Sequence, residues 1–83
     1  MTVFWRVAAR ADIARIVRYI AQENPIAAQQ VGRELVLAGD SLAVFPRRGR
    51  PGRIAGMREL VVYQPYILVY RVAENGDVTV VRV

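Results

Sequence analysis

The sequence contains no cysteine, no histidine and no lysine. Without cysteine there is no disulfide and no thiolate nucleophile, and a reducing cytoplasm is the compartment that we expect. Without histidine the commonest general base is absent, and the two absences together remove the usual zinc ligands. We therefore expect no metal and no cofactor. No apolar run is long enough to span a membrane, so we expect no membrane partner.

All of the positive side-chain charge is carried by one residue type. All twelve basic residues are arginine, against seven acids, which gives a net charge of +5 on 83 residues. Codon bias in a GC-rich genome is one explanation for the missing lysine. Whatever its origin, guanidinium forms bidentate contacts with carboxylates and phosphates, so the chain favours an acidic partner. Its length and hydrophobic content of 54% predict a single domain over residues 1–83.

The first half of the chain predicts a strand followed by two helices. A short apolar stretch over 3–7 predicts the strand, and apolar residues with helical spacing predict a helix over 8–23. Pro25 cannot continue that helix but suits the first turn of the next one, with Asn24 as its N-cap. The second helix is predicted over 25–44, and the short connection makes residues 9–45 an antiparallel αα-hairpin. The predicted apolar faces are Ile13, Ile16, Val17 and Ile20 in the first helix, and Val31, Leu35, Ala38, Leu42 and Phe45 along the second.

The segment over 46–56 is predicted to be a loop, because Gly and Pro are interleaved with charge. It carries four arginines, Arg47, Arg48, Arg50 and Arg53. Since like charges in such proximity repel one another, these side chains are candidates for binding an anionic partner. A merely solvated loop is the alternative.

Three β-strands are predicted in the second half, over 58–63, 66–72 and 77–83, each rich in Val, Ile, Leu and Tyr. Asn75-Gly76 indicates a two-residue type I′ hairpin, and Gln64-Pro65 indicates the other reversal. Counting outward from these turns places Arg58, Arg71 and Arg82 on one face of the sheet. The opposite face, predicted to pack on the helices, would carry Val61, Leu68, Tyr70, Val72 and Val81. An odd-length turn, or pairing of an arginine with a nearby acid, would remove the basic face.

Several motifs in this order resemble one family of proteins. They are Trp5, Tyr19-Ile20-Ala21, Asn24-Pro25, Phe45-Pro46, the Gly-Arg-rich loop over 49–53, Gly56-Met57-Arg58-Glu59-Leu60 and Tyr66 to Val72. This succession resembles the ParE branch of the ParE/RelE toxin superfamily over the whole chain. The resemblance implies an α+β fold, with two helices on a twisted, mainly antiparallel sheet that ends in a three-stranded meander.

The same resemblance implies a function and partners. It implies a bacterial toxin of a type II toxin–antitoxin system, neutralised by an antitoxin whose C-terminal segment folds on binding, in a complex that is oligomeric. ParE-like members typically arrest growth by poisoning DNA gyrase, whereas RelE-like members cleave mRNA on the ribosome.

The residues favour the non-enzymatic branch. RelE-like nucleases carry a basic residue where this chain has Ile67, which can neither bind phosphate nor stabilise a developing charge. No acid–base pair for RNA cleavage is visible, and Glu59, the one candidate base, is predicted to face away from the arginines. We therefore predict no catalytic residue. A RelE-like nuclease and a basic nucleic-acid-binding module stay as alternatives, although direct nucleic-acid binding is not expected because no helix carries clustered base-reading side chains. The predicted contacts for antitoxin or target are Arg47, Arg48, Arg50, Arg53, Arg58, Arg71 and Arg82.

Overall fold

A computed structural model describes residues 2–83 and has the α+β architecture that the resemblance implies. Two helices pack on one side of a mixed five-stranded sheet. The elements, in chain order, are β1 (Val3–Trp5), α1 (Val7–Ala21), α2 (Pro25–Ser41), β2 (Arg50–Pro51), β3 (Arg58–Tyr63), β4 (Tyr66–Val72) and β5 (Val78–Arg82). The predicted bounds of β3 and β4 are confirmed, whereas β2 lies inside a segment that was predicted to have no regular structure.

The helices begin and end for identifiable reasons. Asn24 is the N-cap of α2, since its side-chain oxygen accepts a hydrogen bond of 3.0 Å from the Ala27 N–H. At the other end α2 stops at Ser41, three residues earlier than predicted. The amides of the next three residues bond to carbonyls three positions back, at 3.1 Å each, which is a tighter turn than an α-helix. The predicted seam therefore ends at Leu42, and Phe45 is exposed instead of buried.

The sheet has the strand order β1-β5-β4-β3-β2. Neighbouring strands are antiparallel except that β1 and β5 run parallel, with Phe4 opposite Thr79. The start of the described chain thus lies beside its end. Arg6 N–H extends this pairing by donating to the Val80 carbonyl at 3.0 Å.

The turn between β4 and β5 differs from the predicted type I′ hairpin. Of its residues only Gly76 has a positive φ, of 92°, whereas a type I′ turn requires positive φ at both central positions. Ala73 N–H bonds to the Asp77 carbonyl at 2.8 Å and Gly76 N–H bonds to the Ala73 carbonyl at 2.9 Å. The loop therefore has three residues and an odd length, which shifts the register by one, so Tyr70 pairs with Val80.

This register, with irregularities near Val61 and Val69, overturns the prediction of one basic sheet face. Tyr63 pairs with Tyr66 as predicted, but Arg58 then lies opposite Tyr70 and not opposite Arg71. Arg58 and Arg82 both turn towards the helical side, where they contact the loop after α2 and α1 respectively. Arg71 alone of the three stays on the open face, and it is exposed.

The core lies between the helices and one sheet face. Val61 and Val81 were predicted to contribute to it, but Val61 is 40% exposed and Val81 is only half-buried. The register shift puts their neighbours inward, so Leu60, Val78 and Val80 are buried with Leu68 and Tyr70. From the helices the buried apolar side chains are Ala9, Ile16, Ala28, Val31, Leu35 and Leu42.

Candidate functional site

The arginine-rich segment after α2 is a folded hairpin-like structure. Its two-residue strand β2 pairs with β3, with Arg50 opposite Glu59. Gly52 N–H donates to the Met57 carbonyl at 2.8 Å, and Met57 N–H donates to the Ile54 carbonyl at 3.0 Å. The segment over 46–57, called the arginine loop below, therefore holds its side chains in defined positions.

The arginine loop is anchored to the core through Gly49 and Tyr70. The Gly49 N–H donates to the Tyr70 hydroxyl at 2.8 Å, and both residues are buried. A Cβ atom on Gly49 would lie 2.6 Å from the Glu59 carbonyl oxygen and 2.7 Å from the Tyr70 hydroxyl. Only glycine fits such an approach without movement of the backbone, which explains its place between arginines.

Arg58 also holds this loop. Its Nε donates to the Gly49 carbonyl at 3.1 Å and its Nη2 donates to the Arg47 carbonyl at 3.2 Å, with a further bond from Nη2 to the Gly49 carbonyl. The side chain is half-buried. Its guanidinium is thus used inside the chain, and its predicted contact with a partner stays a prediction.

The predicted loop arginines lie at the surface with differing surroundings. Arg47, Arg48, Arg50 and Arg53 are all exposed. Arg50 Nη2 lies 3.4 Å from Glu59 Oε1, and Arg48 Nη1 donates to the Ser41 hydroxyl at 2.9 Å. Among residues 2–83, carboxylates pair only with Arg15, Arg50 and Arg82. Arg47, Arg48, Arg53 and Arg71 therefore carry positive charge that no acid of the described chain neutralises.

Sequence reasoning missed the most highly connected polar side chain, Asp12. It is 1% exposed and accepts hydrogen bonds from Arg82 Nε at 2.7 Å, Arg82 Nη2 at 3.0 Å, Arg15 Nη2 at 2.9 Å and the Val83 N–H at 3.0 Å. Asp12 precedes the apolar stripe of α1 by one residue, so helical spacing alone could have placed it near the core side of the helix. Nothing in the sequence pairs it with Arg82, 70 positions away.

The hydrogen bonds around Asp12 shift the pKa values of both Asp12 and Arg82. The Arg82 hydrogen bonds, helped by the Val83 N–H and Arg15, hold the pKa of the Asp12 carboxyl well below its usual range, against burial, which alone would raise it. In return the Asp12 carboxylate raises the pKa of the Arg82 guanidinium. Arg82 therefore fastens β5 to α1. Its side chain is still 58% exposed, and its contact with a partner stays a prediction.

On the open face of the sheet, Glu59 belongs to a shallow hollow of about 350 Å³ that Arg53, Tyr66, Ile67 and Val69 also line. Besides its contact with Arg50, Glu59 Oε2 accepts a hydrogen bond of 3.3 Å from the Arg53 N–H. The carboxylate is therefore held beside basic groups, and Tyr66 is the lining residue whose hydroxyl has a proton to donate.

A second surface lies on the outer side of the two helices. An open groove of about 470 Å³ runs between α1 and α2. Val36 and Leu37 on its wall are 42% and 58% exposed. Its lining consists of Ile13, Val17, Ala28, Gln29, Gly32, Arg33, Val36 and Leu37. No helix in residues 2–83 is long and apolar enough to cross a bilayer, and no cluster of potential metal ligands forms within that range.

Comparison with known proteins identifies the family. The chain is 47% identical over 81 residues to a protein named Toxin RelE2 from Caulobacter vibrioides, covering 98% of this chain and 90% of that protein. It is 38% identical over 78 residues to the Putative toxin Y4kP from Sinorhizobium fredii, covering 93% and 81%.

The fold is shared with a solved structure described as the chromosomal ParDE TA system from P. aeruginosa. The TM-score is 0.85 at 23% identity, over 99% of this chain and 91% of the other. The family model described as "ParE toxin of type II toxin-antitoxin system, parDE" matches residues 3–83. This chain therefore belongs to the ParE toxin family, and it is a toxin of a type II toxin–antitoxin system for which a cognate antitoxin is the implied partner.

Proposed function

We propose that this toxin arrests growth by binding an acidic protein surface through its exposed arginines, without catalysing a reaction. DNA gyrase is the target that the family resemblance suggests. The observation that carries the proposal is the ordered arginine loop, which exposes Arg47, Arg48 and Arg53 with no carboxylate of residues 2–83 at ion-pairing distance from their guanidinium groups. A guanidinium group that has no ion pair within the chain can bind a carboxylate of a partner. Because the backbone of the loop is already ordered, binding costs little backbone conformational entropy.

The antitoxin is proposed to cover two surfaces. Acidic antitoxin side chains would contact the arginine loop, and an amphipathic helix of the antitoxin would lie in the groove between α1 and α2, whose walls are almost wholly apolar. Charged contacts of this kind accelerate association and make it sensitive to salt. Apolar contacts in the groove would contribute most to slow dissociation.

Two observations favour a nuclease as the second candidate. The relative with 47% identity is named Toxin RelE2, and Glu59 lies beside Arg50 on the open face at 3.4 Å. Against this candidate, Ile67 in the same hollow is apolar. The hollow holds no second carboxylate, so the Tyr66 hydroxyl would have to supply the acid that RNA cleavage needs beside the Glu59 base.

Two assays on the purified chain separate the candidates. We expect inhibition of supercoiling by purified gyrase, and no cleavage of mRNA on programmed ribosomes. The double variant Arg47→Ala, Arg53→Ala should lose inhibition at least tenfold, since each removes an exposed contact worth about 1 kcal/mol. The matched control is the double variant Arg10→Ala, Arg18→Ala. It removes the same charge from exposed positions on α1 and should retain activity. Ribosome-dependent cleavage that Glu59→Gln abolishes would refute the proposal and establish the nuclease.

A further inference from the structure

Just after α2, the chain exposes apolar side chains next to arginines. Val44 is 71% exposed and Phe45 is 64% exposed. With Pro46, Arg47 and Arg48 they line an open depression of about 560 Å³. Residues 44–48 are called the Phe45 corner below. Because Val44, Phe45 and Pro46 line one depression together with two arginines, they form a contiguous apolar patch beside polar groups, which is the kind of surface that marks an interaction site.

The Phe45 corner has a fixed backbone. The Phe45 N–H donates to the Ser41 carbonyl at 3.1 Å, and the Arg48 N–H closes a turn onto the Phe45 carbonyl at 3.1 Å. The carbonyl of Arg47 accepts from the Arg58 guanidinium. Because these bonds order the corner before any partner arrives, binding does not have to order it, and a short contact can suffice.

The side chains of the corner combine two kinds of surface. Val44, Phe45 and Pro46 supply apolar side chains to the depression, and Arg47 and Arg48 supply guanidinium groups to the same lining. The bond from Arg48 Nη1 to the Ser41 hydroxyl fixes one guanidinium, while neither arginine has a carboxylate of residues 2–83 at ion-pairing distance. The complement of this surface is a large apolar side chain with carboxylates on either side.

We propose that the Phe45 corner binds an acidic peptide segment of a protein partner, with an aromatic or large aliphatic side chain seated on Phe45 and its flanking carboxylates on Arg47 and Arg48. The proposal rests on the proposed function, in which the arginine loop contacts a protein, and adds the chemistry of the bound segment. A single-stranded nucleic acid fits less well. It needs successive stacking aromatics, whereas this corner has one aromatic ring among aliphatic side chains that offer its bases no hydrogen bond.

The test uses a fluorescein-labelled twelve-residue peptide with glutamates on both sides of a central Trp-Leu pair. Its binding to the full chain is measured by fluorescence anisotropy and mapped by amide chemical shifts. We expect shifts centred on residues 44–48, and at least tenfold weaker binding to Phe45→Ala and to Arg47→Ala. The controls Ile26→Ala and Arg10→Ala remove exposed side chains outside the corner and should leave binding unchanged. A peptide with glutamine for glutamate, or with serine for Trp-Leu, should bind at least tenfold more weakly.

This experiment contains neither gyrase nor ribosomes, so its failure is separable from failure of the proposed function. A chain that binds the peptide at the corner but arrests nothing would support the docking surface while contradicting the proposed function. Three outcomes would each overturn the proposal. The peptide could bind Phe45→Ala as tightly as the parent, or its chemical shift changes could centre on the groove between the helices. A thymidine dodecamer could also displace the labelled peptide at lower concentration than unlabelled peptide does. Phe45 is exposed, so its variant should keep the far-ultraviolet circular dichroism of the parent.

Discussion

Replacement of Asp12 by asparagine tests whether the buried carboxylate stabilises the fold. The carboxylate accepts four hydrogen bonds, three of them from guanidinium groups. Hydrogen bonds to charged groups contribute about 1.5–3 kcal/mol each when buried. The two arginine side chains here are 58% and 59% exposed, and solvent screening reduces that figure severalfold. Asparagine keeps the shape and one acceptor, so we expect a loss of about 2 kcal/mol in the free energy of unfolding at pH 7.

The pH dependence of that loss gives the sharper test. The pKa of Asp12 is depressed in the folded chain. Its stabilising contribution is therefore complete above the ordinary aspartate pKa of about 3.9 and is lost as the pH falls towards the folded value. Each pH unit below about 3.9 removes about 1.4 kcal/mol. The difference between the parent and Asp12→Asn should thus be constant from pH 5 to 7 and shrink progressively as the pH falls below about 4.

Urea denaturation followed by circular dichroism, at a series of pH values, measures this difference directly. For a domain of this size, 2 kcal/mol corresponds to a change in Tm of roughly 8–16 °C. Asp40→Asn is the matched control, because Asp40 is exposed and accepts only a 3.4 Å bond from Trp5 Nε1. A loss below about 0.5 kcal/mol, or one that does not change with pH, would refute the role given to the cluster.

Three further substitutions test how local contacts hold the fold, each by urea denaturation. Tyr70→Phe leaves the buried Gly49 N–H without its acceptor and should cost about 1–3 kcal/mol; an unchanged midpoint would mean that the arginine loop is not anchored there. Gly39→Ala places a Cβ in steric conflict with the Trp5 ring, so a cost of about 1–3 kcal/mol is expected, with a shift in tryptophan fluorescence as a second readout. Asn24→Ala removes the α2 N-cap and should cost about 1 kcal/mol, whereas Asn24→Asp, which keeps an acceptor, should cost less.

Local signals in the sequence predicted the elements well. Asn24-Pro25 defined the start of α2, and the alternation of apolar side chains defined β3 and β4 to the residue. The fold class followed from the order of motifs. These features depend on contacts between residues that lie near one another in the chain. The spacing of apolar and turn-forming residues along the sequence predicts such local contacts directly.

The arrangement of arginines was not predictable in the same way. A single additional residue in the Asn75-Gly76 loop reverses which side chains of β5 face the helices. The positions of Arg58 and Arg82 then depend on tertiary partners, a loop carbonyl and the distant Asp12, that no local spacing reveals. Sequence reasoning therefore predicted which residues carry charge but not which of those charges the fold uses internally.

The parallel pairing of β1 with β5 has a consequence for synthesis. Since β5 lies between β1 and β4 in the sheet, a nascent chain that has completed β4 still has no strand beside β1. At that stage Asp12 also lacks Arg82 and the Val83 N–H. The five-stranded sheet and the Asp12 cluster can therefore be completed only after the ribosome has added β5 and Val83.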